Sequence, residues 1–457
     1  MSAHGESHSI DIGQVIDSCP IRALHYGIFA LCALCMVMDG FDLQALGYVA
    51  PVVVSEWKIA PSLMGPVFGA SNLGVLIGQL VFTVLGDKIG RRPVLITATV
   101  AFSVLTLITG SVNSVSQLLI ARFVAGMALG SIIPNATALI LEFSPRTERI
   151  RLVTYAGVGF VAGSVLSGLV AAWLIPLFGW RAVFYVGGVA PLFVAAMMYL
   201  WLPESLVLLV LQKRRFDYVA RWLGKLRPDG SFTRDSIFVA REERVRGVPV
   251  IALLRQGRLA ATLLLWLVFF LNLFNLYSLA NWLPIVVRGA GYPTGTAVLV
   301  GTTLQLGGMV TPFFMAWAVM RKGFVPVLTI AFVLATGSIV LIGQPGLALS
   351  SLVLAVFVAG GCVVGSQPTL NTLAATFYPT SLRSTGLGWA LGVGRVGSIV
   401  GPVIAGELIA WRWATRDIFL ALAIPALISA VVVAALPFVI KPGPAGTDSP
   451  ATPHLGS

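Results

Sequence analysis

The chain of 457 residues is 57% hydrophobic and only 11% charged, with a mean hydropathy of +0.92, against about 25% charged residues in an ordinary globular protein. So little polar surface excludes a soluble enzyme, a secreted disulfide scaffold and a disordered chain. The net charge of +12 would suit nucleic acid only if the cations shared one folded face, and their positions along the chain give them another role.

The first 20 residues are polar and acidic, with Glu6, Asp11 and Asp17, unlike the basic-then-apolar pattern of a cleavable signal. A membrane span needs about 20 predominantly apolar residues. Twelve stretches qualify: 24–52, 62–85, 93–111, 117–141, 152–175, 181–202, 259–286, 296–319, 325–343, 348–371, 385–410 and 416–439. The 48 glycines and 26 prolines agree, since both are commoner in membrane helices than in soluble ones. The prediction is an all-α membrane protein: a tail over 1–22, a six-helix bundle over 23–202, a basic loop over 203–258, a second six-helix bundle over 259–440 and a tail over 441–457. Both tails read as flexible, the second being rich in Pro, Gly and Ser. Of the four cysteines, Cys32 and Cys35 form a CxxC inside an apolar run. Without a surrounding redox fold they read as small helix-packing residues.

Lysine and arginine sort by side. Of the 30, 23 fall before the first span, in the loops on that same side, or after the twelfth; five fall in the opposite loops; Arg122 and Arg395 lie within spans. The positive-inside rule then puts both termini and the central loop in the cytoplasm of a plasma (inner) membrane protein. The basic balance is topology, and no nucleic-acid partner is implied.

The halves repeat. A shift of 233 carries Asp39 onto Asn272, Asp42 onto Asn275, Gly90 onto Gly323 and Pro93 onto Pro326; one residue further, Phe143, Pro145 and Arg149 meet Phe377, Pro379 and Arg383. A parallel repeat of six helices predicts a ligand site near the midplane, between the halves.

Several motifs identify a family by resemblance. Gly86-Asp87-Lys88-Ile89-Gly90-Arg91-Arg92 after the second span resembles the signature loop of the major facilitator superfamily, with Thr83 where that loop usually opens with glycine and Met320 in place of the acid in the second copy. Leu202-Pro203-Glu204-Ser205 resembles that superfamily's PES motif. Asp39-Gly40-Phe41-Asp42 resembles the DGxD motif of its aromatic acid:proton symporters, and Tyr378 to Gly386 followed by Gly394-Arg395-Val396-Gly397-Ser398 is similar to their tenth-to-eleventh helix segment. The resemblance implies the major facilitator fold and proton-coupled uptake of an aromatic carboxylate such as a benzoate or hydroxybenzoate. It also implies a latch role for Asp87, Arg91 and Arg92, whose plain alternative is a positive-inside anchor. The rivals are a superfamily member carrying another organic acid or a neutral metabolite, and a non-transporting aromatic-acid sensor.

The residues themselves support chemistry at a few points. Asp39 and Asp42, at i,i+3, lie mid-span, where a carboxylate costs several kcal/mol unless paired, protonated or wet. Proximity and desolvation favour the protonated form of one, which suits proton coupling; the alternative is that one acid holds helices together through an arginine. Their repeat partners Asn272 and Asn275 keep hydrogen bonding without titrating. Arg122, followed by Gly126 and Gly130, either pairs with a buried carboxylate or snorkels to the surface. Glu142, about 30 Å further along the same span, is a gate or proton exit, or else an ionic partner of Arg146 or Arg149. Arg395 sits among glycines mid-span, where a guanidinium needs an acid, water or an anionic ligand; its fork of donors suits a carboxylate, from substrate or from the first span. Gln305, Gln367 and Asn371 are further in-span polar groups, and Phe274, Tyr277 and Trp389 offer rings for stacking or for plain packing. No GxxxxGK[ST], no HExxH and no nucleophile triad is present. The expectation is a non-enzyme with no metal or cofactor, monomeric, whose partners are an aromatic carboxylate, protons and the lipid bilayer.

Overall fold

The computed structural model describes residues 10–228, 232, 236–240, 250–255, 257–379 and 382–439. The tail 441–457, Thr380 and Ser381 of the motif run, and part of the 203–258 loop lie outside the described residues. Among the described residues twelve helices reach membrane-spanning length: Ala23–Trp57, Pro61–Ile89, Arg91–Thr109, Val115–Phe143, Arg149–Phe178, Arg181–Trp201, Leu259–Gly289, Thr294–Lys322, Phe324–Ile342, Leu349–Phe377, Arg383–Ala410 and Thr415–Val439. Each overlaps one expected span, with ends that differ by six residues at most. They are called spans one to twelve below.

The two halves pack alike. Span one lies on five, two on four and three on six; in the second half seven lies on eleven, eight on ten and nine on twelve. The repeat reaches into the backbone. Span four breaks at Gly130–Ser131 and span ten at Val364–Gly365, positions related by the same shift of 234 that relates Phe143 to Phe377.

Large apolar side chains such as Phe314, Leu200 and Phe438 stay exposed, while Asp42, Arg122, Asn272 and Ser398 are buried. That inversion suits a bilayer, where lipid solvates apolar surface and polar groups must find partners inside. Glycine permits the closest approaches. A Cβ on Gly126 would meet the Ser71 carbonyl oxygen at 2.3 Å, and one on Gly130 the Val75 oxygen at 2.2 Å. Spans two and four are therefore in backbone contact, as the Gly126–Gly130 spacing suggests.

The bundles meet through spans two and eleven, five and eight, and one and seven. Their contacts gather in the halves of the spans away from the termini. Phe68 meets Trp282 edge-on at 5.6 Å, Gly65 lies against Pro402 and Gly406, and Gly168 against Thr302. Gln44 of span one donates to the Ala280 oxygen of span seven at 3.0 Å and accepts from Gln305 of span eight at 3.1 Å. A cavity of about 320 Å³ lies on the termini side of this seal.

The described part of the N-terminal tail, from Ile10 on, departs from expectation, while residues 1–9 lie outside the described residues. Ile10–Asp11 pairs in parallel with Phe238–Val239, and Ile12–Asp17 forms a helix capped by Asp11. Ile12, Ile16 and Cys19 are buried in one cluster with Phe143, Leu209, Leu223 and Leu226, and Arg149 holds Asp17 at 2.5 Å. Polar composition suggested a loose tail, but two isoleucines one helical turn apart are enough to seat it on the Phe216–Leu226 helix of the central loop.

Candidate functional site

Asp42 and Arg122 form a buried pair. Arg122 Nη2 donates to Asp42 Oδ2 at 2.6 Å and Nη1 to Oδ1 at 3.2 Å, while Thr106 Oγ1 donates to Oδ1 at 2.6 Å. Neither charged side chain is accessible to solvent, and Arg122 also lies over the Phe184 ring at 5.8 Å. Snorkelling by Arg122 is thus corrected: a carboxylate three helices deep supplies a better partner than the surface. Asp42 takes the role of the acid that holds spans one, three and four together.

Asp39 is different. It is buried but has no direct ion pair among the described residues, and it lines the cavity together with Arg395. Three residues along a helix turn its side chain about 60° from Asp42, which takes it out of the bundle interior and onto the boundary between halves. Arg395, half-buried on the opposite wall, donates from Nη1 to the Tyr277 hydroxyl at 3.1 Å. Leu43, Val75, Ile133, Pro134, Thr137 and Phe160 supply much of the remaining wall. A largely apolar chamber therefore holds one acid and one guanidinium, the latter bonded to a phenol. Such a chamber can take up a proton at the acid and an anion at the guanidinium.

The other candidates divide. Asn272 Nδ2 donates to Gln367 Oε1 at 2.8 Å, and Gln367 Nε2 to Asn371 Oδ1 at 3.1 Å, so these three amides form one chain between spans seven and ten. Asn275 faces span twelve: with its amide turned so that both ends are satisfied, it donates to the Leu422 oxygen at 2.9 Å and accepts from Ala426 N at 3.1 Å. Gln305 belongs to the seal with Gln44. Phe274 packs at 6.3 Å from Phe270, and its carbonyl meets the Gly401 backbone. Trp389, 45% exposed, stacks on Trp266 at 5.8 Å.

Glu142 joins the signature loop. Its carboxylate accepts from Arg91, which also reaches Asp87 at 3.4 Å. Among the described residues its ion pair is with Arg91 rather than with Arg146 or Arg149; Arg149 turns to Asp17 and to the Leu141 and Ser144 oxygens. Arg92 donates to the Tyr199 oxygen at 2.5 Å. Glu204, which the sequence offered only as part of the PES-like motif with no partner assigned, belongs here too: Oε1 accepts from the Arg91, Arg92 and Ser205 amides at 3.0, 3.2 and 2.9 Å. It caps the start of span three, where orphan amides and the helix dipole favour an acid. Gly90, at φ +123°, leaves room for it, since a Cβ there would lie 2.5 Å from Glu204 Oε2. Gln44 was missed, although an in-span amide two residues after Asp42 was a visible signal.

Comparison with known proteins gives the family and the fold. The model described as Major Facilitator Superfamily matches residues 32–398 and 299–455. The chain is 34% identical over 424 residues to the 4-hydroxybenzoate transporter PcaK of Pseudomonas putida, covering 93% of this chain and 95% of that protein. It is likewise 34% identical to the gallate transporter of Pseudomonas putida, covering 93% and 95%, and 31% identical to the benzoate transport protein of Acinetobacter baylyi, covering 93% and 92%. Among solved structures, the D-xylose–proton symporter superposes with a TM-score of 0.68 at 17% identity, covering 91% of this chain and 97% of that one. A bacterial homolog of the human lysosomal transporter Spinster gives 0.70 at 15%, covering 92% and 98%.

Proposed function

This chain belongs to the Major Facilitator Superfamily, and from that premise we propose that it carries an aromatic carboxylate of the benzoate or hydroxybenzoate type into the cell with a proton, by alternating access. The activities in its relatives' names support the substrate class. One observation carries the mechanism: Asp39 and Arg395 share a cavity between the bundles, the acid without a direct ion pair and the guanidinium bonded to a phenol.

With the cavity open on the side away from the termini, Asp39 takes a proton and its pull on Arg395 lapses. Arg395 then receives the substrate carboxylate through its fork of donors, and Tyr277 adds a hydroxyl beside it. The loaded cavity contains a neutral acid and a neutralised ion pair, a combination that can be closed away from water at low cost. The bundles rock, the cavity opens on the termini side, and substrate and proton leave. Asp39 then faces Arg395 again, and that mutual neutralisation permits the empty return. The Asp42–Arg122 pair stays buried throughout as framework. The excess of basic residues on the termini side supports cytoplasmic termini in a plasma (inner) membrane, and a site built within one chain suits a monomer.

One proton with one monoanion moves no net charge. Uptake then follows the pH gradient alone, at about 1.4 kcal/mol per pH unit, whereas a second proton would add roughly 2.3 kcal/mol per 100 mV of membrane potential.

The test is uptake of labelled 4-hydroxybenzoate into proteoliposomes, challenged with benzoate and with neutral benzamide. Benzoate should compete, benzamide should not, and Arg395→Gln should abolish uptake. Equal competition by the amide, or full uptake by Arg395→Gln, would sink the assignment.

A further inference from the structure

The cavity's first-half wall includes Asp39, Ile133 and Thr137. The repeat carries Asp39 onto Asn272 by the shift of 233, and Ile133 and Thr137 onto Gln367 and Asn371 by the shift of 234 that also relates the breaks in spans four and ten. One acid, one apolar residue and one threonine thus correspond to three amides. In the structure those amides are bonded in series, from Asn272 through Gln367 to Asn371. None of the three is among the residues that line the cavity in this structure; Asn272 is 1% exposed, and its Oδ1 is a buried acceptor without a partner among the described residues. A buried orphan acceptor costs about 1–3 kcal/mol, so the chain of amides ends in a site that wants a donor.

We propose that this amide series is the subsite that reads a ring hydroxyl, with Asn272 Oδ1 accepting the phenolic proton while Arg395 holds the carboxylate. The inference rests on the aromatic-carboxylate reading above and deepens it. Amides suit the task because they neither titrate nor compete for the carboxylate as a second cation would. The two bonds use one donor of Asn272 and one of Gln367, with Asn371 accepting at the end, which fixes the orientation of Asn272 and leaves its oxygen as the free end. A hydroxylated ring fills that acceptor. An unsubstituted ring leaves it unpaired, and the difference is a preference for hydroxylated acids.

The experiment measures competition of 4-hydroxybenzoate and benzoate for a bound radiolabelled benzoate on the purified full-length protein, in wild type, Asn272→Leu and Asn371→Ser. The second variant, at a half-buried position, keeps the test informative if the first fails to fold. Wild type should prefer the hydroxylated acid by about tenfold. Asn272→Leu should bring the ratio of the two affinities to near one, and Asn371→Ser should narrow it severalfold. A preference unchanged in the variants, or absent in wild type, overturns the hydroxyl subsite while leaving carboxylate recognition standing. Wild type binding neither acid overturns both.

Discussion

Two aspartates three residues apart, on one helix, end in opposite circumstances. Asp42 is enclosed by Arg122 and Thr106 with no solvent contact, whereas Asp39 looks onto the cavity beside Arg395. Removing one partner of a fully buried pair leaves an uncompensated charge, at a cost of about 3–5 kcal/mol. Arg122→Gln and Asp42→Leu should each lower the thermal midpoint of the purified protein by many degrees. Asp39→Asn, which breaks no direct pair, should leave that midpoint close to wild type, and a large drop there would refute the division of roles. The identities of these residues were legible because ionisable groups stand out in apolar runs. Their partners were not. In a span apolar on nearly every side, no polar stripe fixes which way the helix is turned, so Asn272 and Asn275 read alike although one faces span ten and the other span twelve.

At the scale of elements, span three begins where it does because Gly90 ends the preceding helix at positive φ and Glu204 captures the freed amides of Arg91 and Arg92. Arg91 ties this corner to Glu142 at the end of span four. Glu204→Ala should therefore destabilise the protein by about 0.5–2 kcal/mol, the usual value of a cap, with Glu204→Gln retaining part of it. An unaltered melting curve for Glu204→Ala would argue against a capping role. The twelve spans were legible to within six residues at every end because a bilayer imposes a minimum apolar length on each. The tail before residue 20 was not, because its ordering depends on Ile12 and Ile16 meeting a helix more than 200 residues away, a contact that leaves no mark on local composition.

For the molecule as a whole, the repeat explains the architecture and its asymmetry explains the chemistry. Equivalent helices pair equivalently in both halves, but the acids stand in the first half and amides take their places in the second. Gln44 and Gln305 close the halves together on the side away from the termini, so the cavity that holds Asp39 and Arg395 reaches towards the termini instead, as far as Leu141 near the end of span four. In the proposed alternating-access cycle that seal opens and this cavity closes, with Asp39 changing its proton in between. The most direct test loads proteoliposomes of wild type and Asp39→Asn with labelled 4-hydroxybenzoate outside and imposes an inward proton gradient. The wild type should accumulate substrate against its gradient; Asp39→Asn should lose accumulation yet still exchange internal for external substrate. Undiminished accumulation by the mutant would contradict the account and move the coupling proton to another group.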